Sequence, residues 1–443
     1  MHTRHLLATV VIAALGVCQA AAQGNGTNSS YSRFGLGLPS DQSQSYNRSM
    51  GGVAQGLRAG NRINKQNPAS YSAIDSMSFL FDVGMNLQRT SMKQGGKHQS
   101  ANNTAFDYVT AGFRLRRNLG MSLGFVPFTN IGYSFTQTET VTEDPMLMQR
   151  ITQTIDYSGS GGLHEVYGGI GWQPLNGFSL GFNIGYLWGS LSHFAIQTFA
   201  EDGTTNTANY GSLTTAYSSN TRTWKAEVGA QYRFVANPTN RFTIGATVGI
   251  GHTIGSEALV LRTSLQGDTI PRSTRNAFKL PMTYSLGLGW EHAERLLVAA
   301  DATMEQWKDC TTPQIQSING GSDIAYVAMT GAYTNRWRVN AGAEYVPARY
   351  DAAYVRRINY RIGAAYSTPY LKINGLEGPS EFSLTAGIGL PITNTYNSRS
   401  YVNVGVQWTR RSASAAQLIT ENTFRLNIAL SFNESWFMKW KFR

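Results

Sequence analysis

Five charged side chains stand at alternating, otherwise polar positions in the second half of the chain: Arg336, Arg338, Glu344, Arg361 and Arg425. A guanidinium group binds a carboxylate through paired hydrogen bonds. Arg338, Arg361 and Arg425 are therefore candidate ligand-binding residues, with the carboxylate head group of a bound molecule as their partner. The alternative is that they pair with carboxylates of the protein itself, such as Asp75 and Asp82. The sequence leaves both interpretations open.

Motifs of catalysis and of metal or cofactor binding are not found. The chain has no Gly-x-Ser-x-Gly elbow, no Cys or His pair at metal-binding spacing and no phosphate-binding loop. The histidines are scattered and read as solvated or lumen residues: His98, His164, His193, His252 and His292. We expect no enzyme activity, no catalytic residues, no metal and no cofactor. An outer-membrane lipid hydrolase or acyltransferase would need a Ser/His arrangement that we cannot identify.

The charge and the composition restrict the classes of protein to which the chain can belong. Charged residues make up 14% of the chain, against about 25% in ordinary soluble domains, while 46 Gly and 22 Tyr are present. The formal net charge of +11 is spread without Lys/Arg runs, which argues against nucleic-acid binding. A diffuse positive charge suits the phosphates of membrane lipid and lipopolysaccharide.

The amino terminus predicts export. Residues 1–22 read as a secretory signal peptide, with an apolar run from Leu6 to Val17 and a cleavage site after Ala20-Ala21-Ala22. Lipidation of Cys18 is an alternative, although Val17 is large for the position before a modified cysteine. If Cys18 leaves with the signal, Cys310 is the only remaining cysteine and no intramolecular disulfide can form.

Alternation of apolar and polar residues is the main structural signal, because successive strand residues point to opposite faces. Clear examples are 77–88 and 178–189, where the second has an aromatic residue at four of its apolar positions. Equally clear segments follow at 224–234, 242–250, 278–290, 358–366, 382–390, 402–408 and 424–432. Weaker segments lie at 105–116, 120–135, 150–159, 163–172, 294–304 and 336–346.

This pattern predicts an all-β fold, a transmembrane antiparallel β-barrel of about fourteen strands. Beyond the signal, no run of 18 apolar residues exists that could form a membrane helix, and a closed barrel is the other structure that can cross a bilayer. Polar stretches such as 201–220 and 393–400 read as extracellular loops. The aromatic residues within 436–443 read as a membrane-interface girdle.

The polar faces of three strands, which would line the lumen, carry small residues. They are Thr243, Gly245, Thr247 and Gly249; Thr283, Ser285, Gly287 and Gly289; and Ser383, Thr385, Gly387 and Gly389. Small inward side chains could leave room for a ligand or a plug. Alternatively, the glycines only ease the coiling of the sheet.

The stretch before the first strong strand is rich in Gly, Ser and Asn, and it is either a disordered leader or a plug that folds into the lumen. It contains two short motifs. Met50, Gly51 and Gly52 form one, within Arg48–Val53, and Asn67, Pro68 and Ala69 form the other. In these motifs the chain resembles the FadL-type outer-membrane transporters of hydrophobic compounds, in a variant like those of Bacteroidetes. The resemblance covers the architecture of the whole chain and rests on about ten motif residues. Ser70 and Tyr71 follow where family members commonly have Gly or Ala.

The resemblance implies a signal peptide at 1–22, an N-terminal plug at 23–75 and a barrel at 76–443. It also implies passive uptake of hydrophobic or amphipathic small molecules, such as long-chain fatty acids, through a lateral gap beside a kinked strand. It carries over no ligand-contacting residue. We therefore expect a monomer in the Gram-negative outer membrane. Two alternatives remain: a FadL-like barrel of the PorV type that docks or secretes proteins at the cell surface, and a general porin.

Overall fold

The computed structural model describes residues 26–144, 149–201, 212–264, 269–318, 323–392, 400–415 and 417–435. The predicted signal peptide, Cys18 and the predicted aromatic girdle at 436–443 lie outside these residues. None of the helices in the described part of the chain is long and apolar enough to cross a membrane.

Fourteen antiparallel strands form one closed barrel, because β1 pairs with β2 on one side and with β14 on the other. The strands are β1 Ser78–Gln94, β2 Lys97–Arg116, β3 Leu119–Asp144, β4 Gln149–Leu175, β5 Phe178–Glu201, β6 Ser212–Asn237, β7 Asn240–Gly249, β8 Thr283–His292, β9 Leu296–Glu305, β10 Arg336–Tyr345, β11 Asn359–Ser367, β12 Ser380–Ile392, β13 Ser400–Ser412 and β14 Thr420–Ser435. The predicted all-β barrel of fourteen strands is confirmed.

The alternation of the sequence decides which way each strand faces. In β5, Phe182 and Ile184 are 43% and 54% exposed on the outer wall, whereas Asn183 between them is 2% exposed and faces inward. Apolar residues outside and polar residues inside are what a barrel in lipid requires. The predicted lumen faces therefore point into the barrel.

Strands β3 to β6 contain 26, 27, 24 and 26 residues, and β7 to β10 contain 10 each. The wall is therefore much taller on one side. Two further strands, Glu257–Ser264 and Thr269–Arg275, extend this tall sheet from the upper part of β6. The remaining short strands are Leu38–Pro39, Thr253–Ile254, Phe278–Lys279, Thr312–Ile318, Asp323–Met329, Lys372–Ile373 and Leu376–Glu377.

Two sequence predictions need correction, and two hairpins were missed. Segments 150–159 and 163–172 are one strand, β4, because Gly161 and Gly162 form an irregularity at positive φ inside it, not a turn. The predicted loop 201–220 is shorter, since β6 already begins at Ser212, and residues 202–211 lie outside the described part. The strands of the two upper hairpins at 257–275 and 312–329 were not predicted.

The two ends of the barrel differ. Short connections, such as 117–118, 176–177 and 238–239, join strands at one end, which we call the short-turn end. The tall wall rises at the opposite, long-strand end. The predicted loop 393–400 lies outside the described residues except for Ser400, but β12 and β13, which it joins, meet at the short-turn end.

The ladder between β2 and β3 is interrupted. These strands pair only from Val109 with Phe125 down to Arg116 with Leu119. Above that point, β2 still pairs with β1 and β3 still pairs with β4, but no pairing joins β2 to β3 among the described residues. A register shift between Pro127 and Thr129 bends β3 at this place. We call this opening the β2–β3 gap.

Residues 26–75, which we call the N-terminal segment, lie inside the barrel. The segment contains three short helical turns, Ser30–Arg33, Ser45–Arg48 and Pro68–Ala73, and Tyr354–Arg357 is a fourth turn at the short-turn end. The strand Leu38–Pro39 of the N-terminal segment pairs with Asn130 and Thr129 of β3. Most of its residues are buried, Met50 and Ala69 completely.

Candidate functional site

The first motif of the N-terminal segment lies against glycines of the barrel wall. A Cβ at Gly363 would stand 2.1 Å from the Met50 carbonyl carbon, and one at Gly342 would stand 2.1 Å from the Met50 oxygen. Gly51 and Gly52 have φ of 73° and 80°, a conformation that favours glycine. The motif therefore needs its own glycines for the turn and those of the wall for the close approach.

The second motif lies in a similar groove on the other side of the barrel. A Cβ at Gly181 would stand 2.3 Å from the carbonyl carbon of Pro68, and one at Gly229 would stand 2.4 Å from Oδ1 of Asn67. Asn67 caps the turn that follows it, because its Oδ1 accepts a hydrogen bond from the Ala69 N–H at 3.2 Å. Both motifs thus fix the N-terminal segment to the wall.

The predicted small inward faces meet the same segment. A Cβ at Gly245 would stand 1.8 Å from the Gln55 oxygen, one at Gly289 2.5 Å from the Gly56 oxygen, and one at Gly387 2.4 Å from Oγ of Ser49. The space that these small residues leave is filled by residues of the N-terminal segment. The faces predicted to leave room for a ligand or a plug therefore contact the N-terminal segment.

Buried ion pairs add to this packing. Arg62 and Arg361 both contact Oε2 of Glu344, at 2.8 and 2.6 Å. Lys65 contacts Glu165 at 2.9 Å, and Arg48 contacts Asp107 at 2.5 Å. Sequence reasoning missed all of these partners except Glu344 and Arg361. No spacing in the sequence could have found them, because each pair joins the N-terminal segment to a distant strand.

The pKa of Asp41 reports the positive electrostatic potential that nearby arginines produce at the N-terminal segment. Burial by itself would raise the pKa of the carboxyl, but Arg48 and Arg338 outweigh burial and hold its pKa at about 2. Oδ2 of Asp41 lies 3.4 Å from Nε of Arg48, and Oδ1 accepts a hydrogen bond from the Ser43 N–H. Asp41 therefore stays charged and lies within reach of the field of Arg338.

A cavity of about 270 Å³ lies between the N-terminal segment and the long-strand end. Its lining is mixed. Apolar residues include Leu38, Pro39, Phe106, Phe128 and Leu280, and charged residues include Asp41, Lys65, Asp107, Lys225, Glu227, Asp301, Glu305, Arg336, Arg338, Glu381, Arg411 and Arg425. The cavity can therefore receive a molecule with both an apolar and a charged part.

The three predicted arginines are not equivalent. Arg338 and Arg425 line the cavity. Within the part of the chain that the structure describes, no carboxylate forms an ion pair with either of them; Arg338 donates to Asn340 and Arg425 to Gln88. Arg361 is buried outside the cavity, bonded to Glu344 and to Asn403. Its partner is therefore a carboxylate of the protein, although it is neither Asp75 nor Asp82.

Both edges of the β2–β3 gap reach the cavity. Residues 105–107 of β2 and 127–130 of β3 belong to its lining. Strand Leu38–Pro39 of the N-terminal segment lies at the same level, paired with β3. The cavity is thus connected to the place where the wall of the barrel is not closed by backbone hydrogen bonds.

No group of three or more His, Cys, Asp or Glu residues in the described ranges could hold a metal ion.

A closed barrel of fourteen strands, with a buried N-terminal segment and an interrupted ladder between its second and third strands, has the FadL-type fold of outer-membrane channels. The chain belongs to the BamG family, since the sequence model of that family matches residues 3–443. No curated protein matches the sequence.

Solved structures support the fold. The Pseudomonas putida toluene transporter TodX is similar with a TM-score of 0.60 and 15% identity, over 89% of this chain and 99% of TodX. A Pseudomonas aeruginosa FadL homologue gives 0.59 and 12%, over 91% and 100%. The Ralstonia pickettii toluene transporter TbuX gives 0.57 and 16%, over 88% and 97%.

Proposed function

We propose that the protein is an outer-membrane channel, not an enzyme, that lets a hydrophobic or amphipathic small molecule pass from outside through the cavity and sideways through the β2–β3 gap. One observation carries the proposal: the cavity reaches both edges of the gap while the N-terminal segment fills the barrel below it. The proteins of similar fold include toluene transporters and a FadL homologue.

The orientation follows from the connections. Bacterial barrels have short periplasmic turns and longer extracellular loops, so the short-turn end faces the periplasm and the tall wall faces outward. We propose residues 1–22 as the signal peptide that brings the chain to the outer membrane, 23–75 as the plug and 76–443 as the barrel. The outer wall then contacts membrane lipid and lipopolysaccharide, and the functional unit is a monomer.

The lining of the cavity indicates the substrate class. Leu38, Phe106 and Phe128 present apolar surface near the gap. Arg338 and Arg425 also line the cavity, and among the described residues they donate hydrogen bonds to amide oxygens and form no ion pair. An amphiphile with an anionic head, such as a long-chain fatty acid, satisfies both parts, because its carboxylate can accept hydrogen bonds from arginine while its chain lies on apolar side chains.

A general porin is less well supported. A porin needs a water-filled lumen, and here glycine contacts and buried ion pairs hold the N-terminal segment across it. The tightness of this packing favours a lateral route above the segment over a straight route through it.

The experiment is to narrow the gap. Ala105 lines the cavity at the edge of β2, while Ala101 lies four residues away on the same strand and outside the lining. Ala105→Trp should reduce uptake of radiolabelled oleate by cells nearly to the level without the protein, and Ala101→Trp should leave it unchanged. Heat-modifiable migration in gels checks that both barrels fold. Equal uptake by both variants would contradict the lateral route.

A further inference from the structure

The tall wall ends in a free edge. Strands β3 to β6 continue above the point where β2 and β3 separate as an antiparallel sheet, which Glu257–Ser264 and Thr269–Arg275 extend on the far side. On the near side the last strand is the upper part of β3. It pairs with β4 as far as Asp144, but above Gly132 no described residue is hydrogen-bonded to its other edge.

The register of the N-terminal segment shows which groups point to this edge. The Ser40 N–H donates to the Phe128 oxygen at 3.0 Å, and the Gly132 N–H donates to Oγ of Ser32 at 3.1 Å. Backbone groups of alternate residues point to the same edge of a strand. From Thr129 to Thr140 the pairing with β4 runs without a register shift. Ser134, Thr136 and Thr138 therefore direct their N–H and C=O groups outward.

Part of this edge lacks the features that commonly protect edge strands. Proteins protect such edges with proline, bulges or inward-pointing charges. In β3, Pro127 and its register shift lie below the stretch 134–138, and Glu139 and the register shift between Thr140 and Thr142 lie above it. From Ser134 to Thr138 the strand has neither a proline nor a charge. Residues 136–139 are exposed at every position and hence on both faces, so no described part of the chain covers them.

We propose that the upper edge of β3 binds an extended segment of a second polypeptide, which adds to the sheet as a new strand. The strand Leu38–Pro39 already makes this kind of contact lower on the same edge, and the new strand would continue that interface upward. A row of alternating N–H and C=O groups is matched by the backbone of an extended peptide. The facing edge of β2, at 97–108, is likewise unpaired with β3.

The partner is therefore defined by its backbone more than by its side chains. Four of the five residues from 134 to 138 are Ser, Thr or Gln, which accept many side chains in a cross-strand pair. The fifth, Phe135, packs against Tyr133 and Tyr157 of the protein itself. The site requires a water-exposed, β-forming segment of at least five residues, the length that spans Ser134 to Thr138. These five residues lie on the β3 side of the gap but at a higher level than the cavity, since none of them lines it.

The test uses the full-length protein in detergent and a fluorescent synthetic peptide of alternating Thr and Val with a Lys at each end. We expect saturable binding by anisotropy, and slower hydrogen exchange of the amides at 134, 136 and 138 in the complex. Thr138→Pro removes one edge donor without touching the ladder to β4. It should weaken binding about fivefold to tenfold, the worth of one backbone hydrogen bond. Thr138→Val keeps the donor and should bind normally.

Three results would overturn the proposal. The first is the absence of saturable binding. The second is equal binding by Thr138→Pro and Thr138→Val. The third is slow exchange of the edge amides before peptide is added, because it would mean that the edge is already occupied. Ala105→Trp serves as a control for independence: it should block oleate uptake and leave peptide binding intact, so failure of one proposal does not decide the other.

Discussion

At the residue scale, the role of each lumen arginine depends on whether a carboxylate is within reach. Arg361 and Arg62 share Glu344 inside the wall, so both are satisfied without a ligand. Arg338 and Arg425 face the cavity and bond only to neutral amide oxygens among the described residues. An arginine that lines a cavity and forms no ion pair is a better ligand-binding candidate than one that is already bonded to a carboxylate.

The first prediction tests this difference. Replacing Arg338 and Arg425 together by Gln should reduce uptake of oleate, because the carboxylate loses its charged hydrogen-bond donors. Uptake of a neutral analogue such as oleyl alcohol should change little. The measurement is the ratio of the two uptake rates in cells with equal amounts of folded barrel. If both compounds slow by the same factor, the arginines do not recognise the head group.

The second prediction concerns the buried pair. Glu344→Gln leaves Arg62 and Arg361 buried without a countercharge, which should cost about 3–5 kcal/mol in the free energy of unfolding. Glu291→Gln makes the same change in a partly exposed pair with Arg233, formed at 2.5 Å. It should cost at most about 1 kcal/mol. Urea titrations in micelles, followed by tryptophan fluorescence, measure both values. Similar losses would mean that burial does not distinguish the two pairs.

At the element scale, the N-terminal segment is held by glycines that leave no room for a side chain. Gly363→Ala would place a Cβ 2.1 Å from the carbonyl carbon of Met50, so Met50 and its neighbours must move. Gly168→Ala meets nothing within 4 Å. Hydrogen exchange measured by mass spectrometry over residues 45–56 should rise in the first variant and stay unchanged in the second. Unchanged exchange in both would show that the contact is not restrictive.

The elements were predictable where lipid imposes alternation. In strands such as β1 and β5 every second residue is large and apolar and faces outward, so the sequence indicates these strands directly. The strands at 257–264, 269–275, 312–318 and 323–329 rise above the barrel, so no lipid-facing pattern marks them. Gly161 and Gly162 look like a turn because glycine breaks the pattern, yet they lie at positive φ inside a single long strand and pair with both neighbouring strands.

The site was predictable only in part, because many of its contacting residues are far apart in the sequence. Glu344 and Arg361 are directly opposite in neighbouring strands, so a correct register would have paired them. Arg62 reaches the same Glu344 from 282 positions away, and local pattern carries no information about such a contact. The two motifs around Met50 and Asn67 predicted a plug, and both lie in the segment inside the barrel. Which wall glycines contact them became recognisable only in three dimensions.

At the scale of the whole molecule, the barrel wall and the N-terminal segment inside it are stabilised by different interactions. The barrel gains its stability from a ladder that runs from β1 around to β14. The segment is joined to it by ion pairs and close contacts, not by long strand pairing. We therefore expect the wall to form without the inner part of the segment.

The last prediction follows from this division. Replacing residues 44–73 by a short Gly-Ser linker removes both motifs, together with Arg48, Arg62 and Lys65, while the strand Leu38–Pro39 remains. In planar bilayers the intact protein should show little steady conductance, and the variant should show a large, stable conductance, because a barrel of fourteen strands without its filling leaves a water-filled lumen. Heat-modifiable migration establishes separately that the variant folds. A folded variant that conducts no better than the intact protein would mean that other parts of the chain close the lumen.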